Sequence, residues 1–118
     1  MVFQNITVSN LPILFPIRQI LTSATILGEQ YTISFPDQFM GYAVALKITN
    51  QSGTNACSYS YNRNPEFSNL AASSFDTIDG TQLRYITVNT PAAIGETVLV
   101  EAQILPIKRD IVEPLESL

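Results

Sequence analysis

The chain has 118 residues, of which 46% are hydrophobic and 14% charged, and a net charge of −4. That length suits one domain that buries a single core without staples. Charge this sparse, against a usual share of about 25%, leaves neutral and apolar surface for an assembly to cover. Nucleic acid is not expected as a partner, because phosphate binding needs clustered cations. Arg18, Lys47, Arg63 and Arg84 are instead scattered, and Lys108 and Arg109 alone are adjacent.

The single cysteine, Cys57, cannot build an intrachain disulfide framework. Residues Met1 to Asn5 lack the basic and apolar regions of a secretory signal, which implies synthesis in the cytosol. Apolar stretches such as Leu11 to Ile17 are far shorter than the ~20 residues that span a bilayer, so no membrane insertion is expected.

Along the chain the dominant hydrophobic period is two, the mark of strands with one buried face. The first strand falls near residues 2–8. Next comes Leu11-Pro12-Ile13-Leu14-Phe15-Pro16-Ile17, apolar but interrupted by two prolines, which confine it to a sheet edge or a crossing. Strands follow near 18–26 and 30–35, the latter with Tyr31, Ile33 and Phe35 in alternation. Near 42–50, Tyr42, Val44, Leu46 and Ile48 face one way and Lys47 and Thr49 the other. The strand near 55–61 puts Cys57, Tyr59 and Tyr61 on one face. Strands near 74–78 and 82–89 flank Asp79-Gly80, a candidate two-residue hairpin turn. The last, near 96–105, alternates Val98, Val100, Ala102 and Ile104 with Thr97, Leu99, Glu101 and Gln103. Gly28, Gly53 and Gly95 punctuate these runs. No stretch of the body reads as a helix. The prediction is an all-β chain: an antiparallel, jelly-roll-like β-sandwich of about eight strands over 1–106. An extended C-terminal arm over 107–118 carries spaced apolar anchors.

Catalytic chemistry is hard to assemble from this inventory. Without histidine there is no Ser-His-Asp or Cys-His arrangement, and one cysteine without histidine builds no structural zinc site. Asp76 and Asp79 could offer oxygens to calcium, but they lack the alternating ligands of an EF-hand loop, and the spacing belongs equally to a solvated turn. A carboxylate pair drawn from Glu66, Asp76, Asp79, Glu96 and Glu101 would be a hydrolase's raw material, but no tryptophan supplies a sugar platform. Asn5-Ile6-Thr7 and Asn50-Gln51-Ser52 match the glycosylation triplet, which matters only on a secretory route. No catalytic residue, cofactor or metal is expected.

Recognition is better served. Tyr59-Ser60-Tyr61-Asn62-Arg63-Asn64-Pro65-Glu66-Phe67 sets Arg63 and Phe67 among rings and amides, a mixture suited to protein or glycan contacts, or else to inward tyrosines and a capped turn. The tip Asp37-Gln38-Phe39-Met40 is a second glycan candidate. The Pro-punctuated segment and the charged tail are the candidate grips on a neighbour, through Leu11, Ile13, Leu14, Phe15 and Ile17 at one end and Ile107, Ile111 and Leu115 at the other.

Four phrases, Lys47-Ile48-Thr49-Asn50-Gln51-Ser52-Gly53, Cys57-Ser58-Tyr59-Ser60-Tyr61-Asn62, Phe75-Asp76-Thr77-Ile78-Asp79 and Tyr85-Ile86-Thr87-Val88, resemble small β-sandwich virion proteins in pattern over residues 42–105. The resemblance implies a capsid, decoration (cement) or tail-associated subunit of a virus or phage, and it carries over no catalytic residue. The expected function is therefore a non-enzymatic virion structural protein, made in the host cytoplasm, that self-associates and docks with other virion proteins on a coat lattice. The alternative is a module that binds a host receptor or glycan.

Overall fold

The computed structural model describes residues 13–107. In chain order they form β1 (Phe15–Thr22), β2 (Gln30–Ser34), a short helix α1 (Phe35–Phe39), β3 (Gly41–Asn50) and β4 (Cys57–Tyr61). Then come β5 (Ser68–Leu70), β6 (Phe75–Leu83), β7 (Tyr85–Asn89) and β8 (Thr97–Pro106). The first strand pairs with the last, β2 with β7, β3 with β6 and β4 with β5, all antiparallel. β3–β8 and β4–β7 contacts complete two four-stranded sheets, ordered β1-β8-β3-β6 and β2-β7-β4-β5. Hairpins nested in this way, with the nest folded over on itself, make a jelly roll.

The alternation explains the closure. On β8, Val98, Val100, Ala102 and Ile104 are buried, as are Ile86 and Val88 on β7 across the sandwich. Phe35, Ile48 and Leu83 fill the space between them without any exposed surface. Pro16 is accommodated because β1 lies at the sheet edge, where a missing N–H costs no ladder bond.

Several expectations need correction. β1 covers Phe15 to Thr22 rather than 18–26, so the strand begins inside the proline-interrupted segment and takes in its last three residues, Phe15 to Ile17. On β3 a bulge between Ala43 and Ala45 changes the parity, so Ala43, Leu46 and Ile48 are buried while Tyr42 and Val44 are half-buried. Asp79-Gly80 is no hairpin turn. β6 runs through it to Leu83, and Gly80, at φ 75°, absorbs the bulge opposite Ala43 to Ala45. The chain then changes sheets at Arg84: Leu83 pairs with Ala43 in one sheet and Tyr85 with Ser34 in the other.

Two elements lie outside the sequence prediction. β5 has three residues, too few for a period to register. α1 starts at Ser34, whose Oγ accepts the Asp37 N–H at 3.4 Å and donates to Asp37 Oδ2 at 2.9 Å, with Pro36 in the first turn. Met40, at φ 55°, ends it. The expected strand near 2–8 lies outside the described residues, as does the tail beyond Ile107.

Leu83 is fully buried where the chain leaves one sheet for the other. Leu83→Ala should cost about 2–5 kcal/mol by urea unfolding, with the slope unchanged. A loss below about 0.5 kcal/mol would contradict this account of the core.

Candidate interaction surfaces

Four connections meet at one end of the sandwich: 23–29, 51–56, 71–74 and 90–96. Backbone bonds lock them together, Ser23 N–H to Glu96 O at 2.9 Å, Gly95 N–H to Ser23 O at 2.8 Å, and Thr90 N–H to Glu29 O at 2.8 Å. Asn50 is the central brace. Buried at the end of β3, its Nδ2 donates to the carbonyls of Asn55, Leu70 and Ala71, and its Oδ1 accepts the Ser52 N–H at 3.0 Å. An amide spent in this way has no place for a glycan, so the Asn50 triplet is structural. Glu96 accepts from Ser52 Oγ at 2.6 Å and Asn55 Nδ2 at 2.9 Å. These two bonds, Ser52's first, hold its carboxyl below the usual range.

On this rigid platform three large apolar side chains face water: Ile26 at 68%, Leu27 at 84% and Ile94 at 64% exposure. Gly28 fixes their position. At φ 80° its backbone lies against the Thr90 and Pro91 carbonyls, leaving no room for a Cβ.

The opposite end is aromatic and cationic. Arg63 lies 4.1 Å from the Tyr85 ring centre, and Arg84 lies 5.2 Å from that of Tyr42. Asn62 and Arg63 both take positive φ, 53° and 60°, a costly pairing for non-glycine residues. Asn62 Oδ1 holds the geometry by accepting the Arg84 N–H at 2.7 Å, tying this loop to the sheet crossing. Met40 and Phe67 are exposed here.

The third surface is the outer face of the β1-β8-β3-β6 sheet. Pairing aligns Arg18, Glu101, Lys47 and Thr77 in one row, and Ile20, Leu99, Thr49 and Phe75 in another. Ile20 and Phe75 are exposed, and Lys47 Nζ sits 4.5 Å from the Phe75 ring centre. A hollow of about 570 Å³ opens beside the charged row, floored by Ala45 and walled by Pro16, Arg18, Lys47 and Gln103.

Against this geometry the sequence candidates divide. Ile13 and Leu14 are exposed ahead of β1, whereas Phe15 and Ile17 point inward and pack on the core. Arg63 and Phe67 lie together at the aromatic end. Of the Asp37–Met40 tip, Asp37, Gln38 and Met40 are exposed, whereas Phe39 packs on the core with its ring 6.3 Å from that of Phe35. Ile107 is half-buried and donates its N–H to Met40 O at 2.9 Å. Leu11, Ile111 and Leu115 lie outside the described residues. Sequence reasoning missed Ile26, Leu27 and Ile94, although their signal is apolar residues beside turn glycines.

Two titratable groups near these surfaces are shifted by their surroundings. Cys57 is buried, and burial pushes its thiol up to about 11. The Tyr59 hydroxyl is pushed up to about 12 by burial and by the 2.6 Å bond it donates to Asp76 Oδ2. Among the described residues no three or more Cys, Asp or Glu side chains gather where a metal would sit, and no helix is long and apolar enough to cross a membrane.

No family model matches the sequence, and neither does any curated protein. In structure the chain is similar to the disulfide-linked pili of Bacillus endospore appendages, with a TM-score of 0.56 and 11% identity over 81% of this chain and 89% of that one. The likeness is one of fold. Weaker likenesses are to a de novo designed double-stranded β-helix, TM-score 0.45 and 8% identity over 75% and 97% of the two chains. Hydroxypropylphosphonic acid epoxidase from S. wedmorenis gives a TM-score of 0.41 and 13% identity over 75% of this chain and 42% of that one.

The Glu96 brace predicts an acid dependence. Its carboxyl is more acidic folded than unfolded, so its contribution is complete above the ordinary value of 4.5 and disappears as pH falls through the folded value. Unfolding midpoints should drop below about pH 4.5, and Glu96→Gln should flatten that slope. Parallel acid profiles for the two proteins would refute the brace. A second titration reads Tyr59: its phenolate should appear near pH 12 by ultraviolet absorbance and vanish in Tyr59→Phe.

Proposed function

We propose that this chain is a non-enzymatic structural subunit that self-associates, and that the assembly it serves is a virion coat. The observation that carries the reading is the presence of exposed apolar side chains at both ends of one rigid sandwich, Ile26, Leu27 and Ile94 at one and Met40 and Phe67 at the other. A module with a single partner needs one such patch. A subunit that repeats in a lattice or filament needs two that do not overlap, because head-to-tail contacts are heterologous. Jelly rolls are common among capsid proteins, and the sequence phrases over residues 42–105 resemble small virion proteins.

The pilus likeness supports a polymerising subunit and also marks a difference. Linking a chain of subunits by disulfides requires a thiol on each side of every junction. Here one cysteine serves the whole chain, and it is buried with a thiol shifted to about 11. The assembly we propose is therefore held by apolar and polar contacts, not by bridging sulfurs.

A second reading, a receptor- or glycan-binding module, is favoured by the Arg63–Tyr85 stack and its strained loop. Glycan-array binding that is lost in Arg63→Ala would support it; a blank array would not.

The principal reading is tested by light scattering on the purified chain. Mass should rise with concentration, and Leu27→Asp or Ile94→Asp should weaken association at least tenfold without lowering the unfolding midpoint. In purified virus particles the chain should be present in many copies. A monomer at every concentration, absent from particles, would overturn the proposal.

A further inference from the structure

The outer face of the β2-β7-β4-β5 sheet differs from the other described surfaces in having no charge. Core parity turns three rows of side chains outward there. The first is Gln30, Asn89, Ser58 and Asn69, and the second is Thr32, Thr87 and Ser60. Ser34 and Tyr85 make the third, which Arg63 closes by lying over the Tyr85 ring. Every one of these side chains carries a hydroxyl or an amide, whereas a typical domain surface is ~25–35% charged. Water alone does not call for this choice. A threonine at Asn69 or Asn89 would be well hydrated too, and asparagine is a poor strand residue.

The face is already ordered. Gln30 Nε2 donates to Asn89 Oδ1 at 2.9 Å, and Asn89 Nδ2 donates to Ser58 Oγ at 3.0 Å. The Thr32 and Thr87 hydroxyls share a bond of 3.1 Å. Because the Gln30–Asn89–Ser58 chain runs one way, Gln30 Oε1 is left as an acceptor at one end and the Ser58 hydroxyl as a donor at the other. Ser60 is buried and Ser34 caps α1, so the usable face is the first row together with Thr32 and Thr87. At the Gln30 and Asn89 side it opens into a hollow of about 210 Å³, shared with Leu27, Gly28, Glu29 and Thr90. Glu29 is fixed there by the Ala24 N–H, 3.0 Å from its Oε1. This volume is below the ~300 Å³ of a pocket for a drug-sized ligand, so it suits one ring of a longer chain.

We propose that this face binds an uncharged oligosaccharide, with one ring in the Gln30–Asn89 hollow and the chain continuing over Thr87 and Ser58. A partner here must match a dense mixture of donors and acceptors, because a covered amide or hydroxyl left unpaired is costly. A sugar ring offers hydroxyls, each both donor and acceptor, around most of its edge, and its C–H face suits Leu27. Protein partners rely on aromatic, Met and Arg anchors, and the usable face has none. An acidic sugar would meet no cation in the hollow and would be repelled by Glu29. The face stands apart from both end patches except at Leu27, and the inference is independent of the self-associating role and of the Arg63 loop.

The test is an array of neutral, sialylated and sulfated oligosaccharides probed with the full-length chain, with thermal unfolding to check each variant's fold. Neutral glycans should bind and acidic ones should not. Asn89→Ala should lower the signal at least tenfold, and Thr87→Val, which keeps the strand's shape, at least threefold. Arg63→Ala should leave it within twofold. A blank array, or a signal from acidic glycans alone, overturns the inference. So does neutral binding that falls in Arg63→Ala but survives in Asn89→Ala, which returns the ligand to the loop. If Asn89→Ala weakens the chain's own association in light scattering and changes no glycan signal, a second copy covers the face and the inference falls. The structural role is read separately, by mass against concentration.

Discussion

Parity is the constraint on which the structure depends. Once Val98, Val100, Ala102 and Ile104 are committed to the core, their neighbours Leu99, Glu101, Gln103 and Leu105 must face outward, whatever their chemistry. The same holds on β1, where Leu21 is buried and Ile20 must be exposed. An apolar residue at an outward position contributes nothing to the interior of its own sandwich. Ile20 and Phe75, paired across the sheet through Leu99 and Thr49, are apolar where the fold alone would accept a polar residue.

The loops extend that reasoning to the ends. Flexible tips bearing isoleucine and leucine would be poor docking surfaces, because ordering them on contact costs conformational entropy. Here the entropy is lost at folding instead. Asn50 draws three carbonyls together, Glu96 holds Ser52 and Asn55, and Gly28 packs against Thr90 and Pro91. Among the described residues no buried side-chain nitrogen or oxygen lacks a partner, so the platform is satisfied internally and its apolar tips are free to meet something else.

Much of this was legible in the residues, for physical reasons. Period-two runs with glycine punctuation identified the sandwich, and two prolines limited the segment at the start of β1 to an edge or a crossing, of which the structure shows the edge. What escaped was whatever breaks a period locally. The bulge at Ala43 to Ala45 shifted Val44 off the core face, and Asp79-Gly80 looked like a turn because a bulge and a turn both call for a positive-φ residue. α1 was hidden because five residues with one cap carry no helical period, although Ser34, Pro36 and Asp37 spell its start. Of the candidate grips, Phe15 and Ile17 proved inward-facing, since an edge strand still has a core side. The exposed loop residues were invisible to a search for strands, because turns carry no alternation against which an apolar residue stands out.

The most direct measurement of the central claim is hydroxyl-radical footprinting of the full-length chain in dilute and concentrated solution. The account predicts that Leu27 and Ile94 at one end and Met40 and Phe67 at the other lose reactivity together as concentration rises, while buried Phe35 stays unreactive throughout. Equal oxidation of those four side chains at every concentration would contradict it.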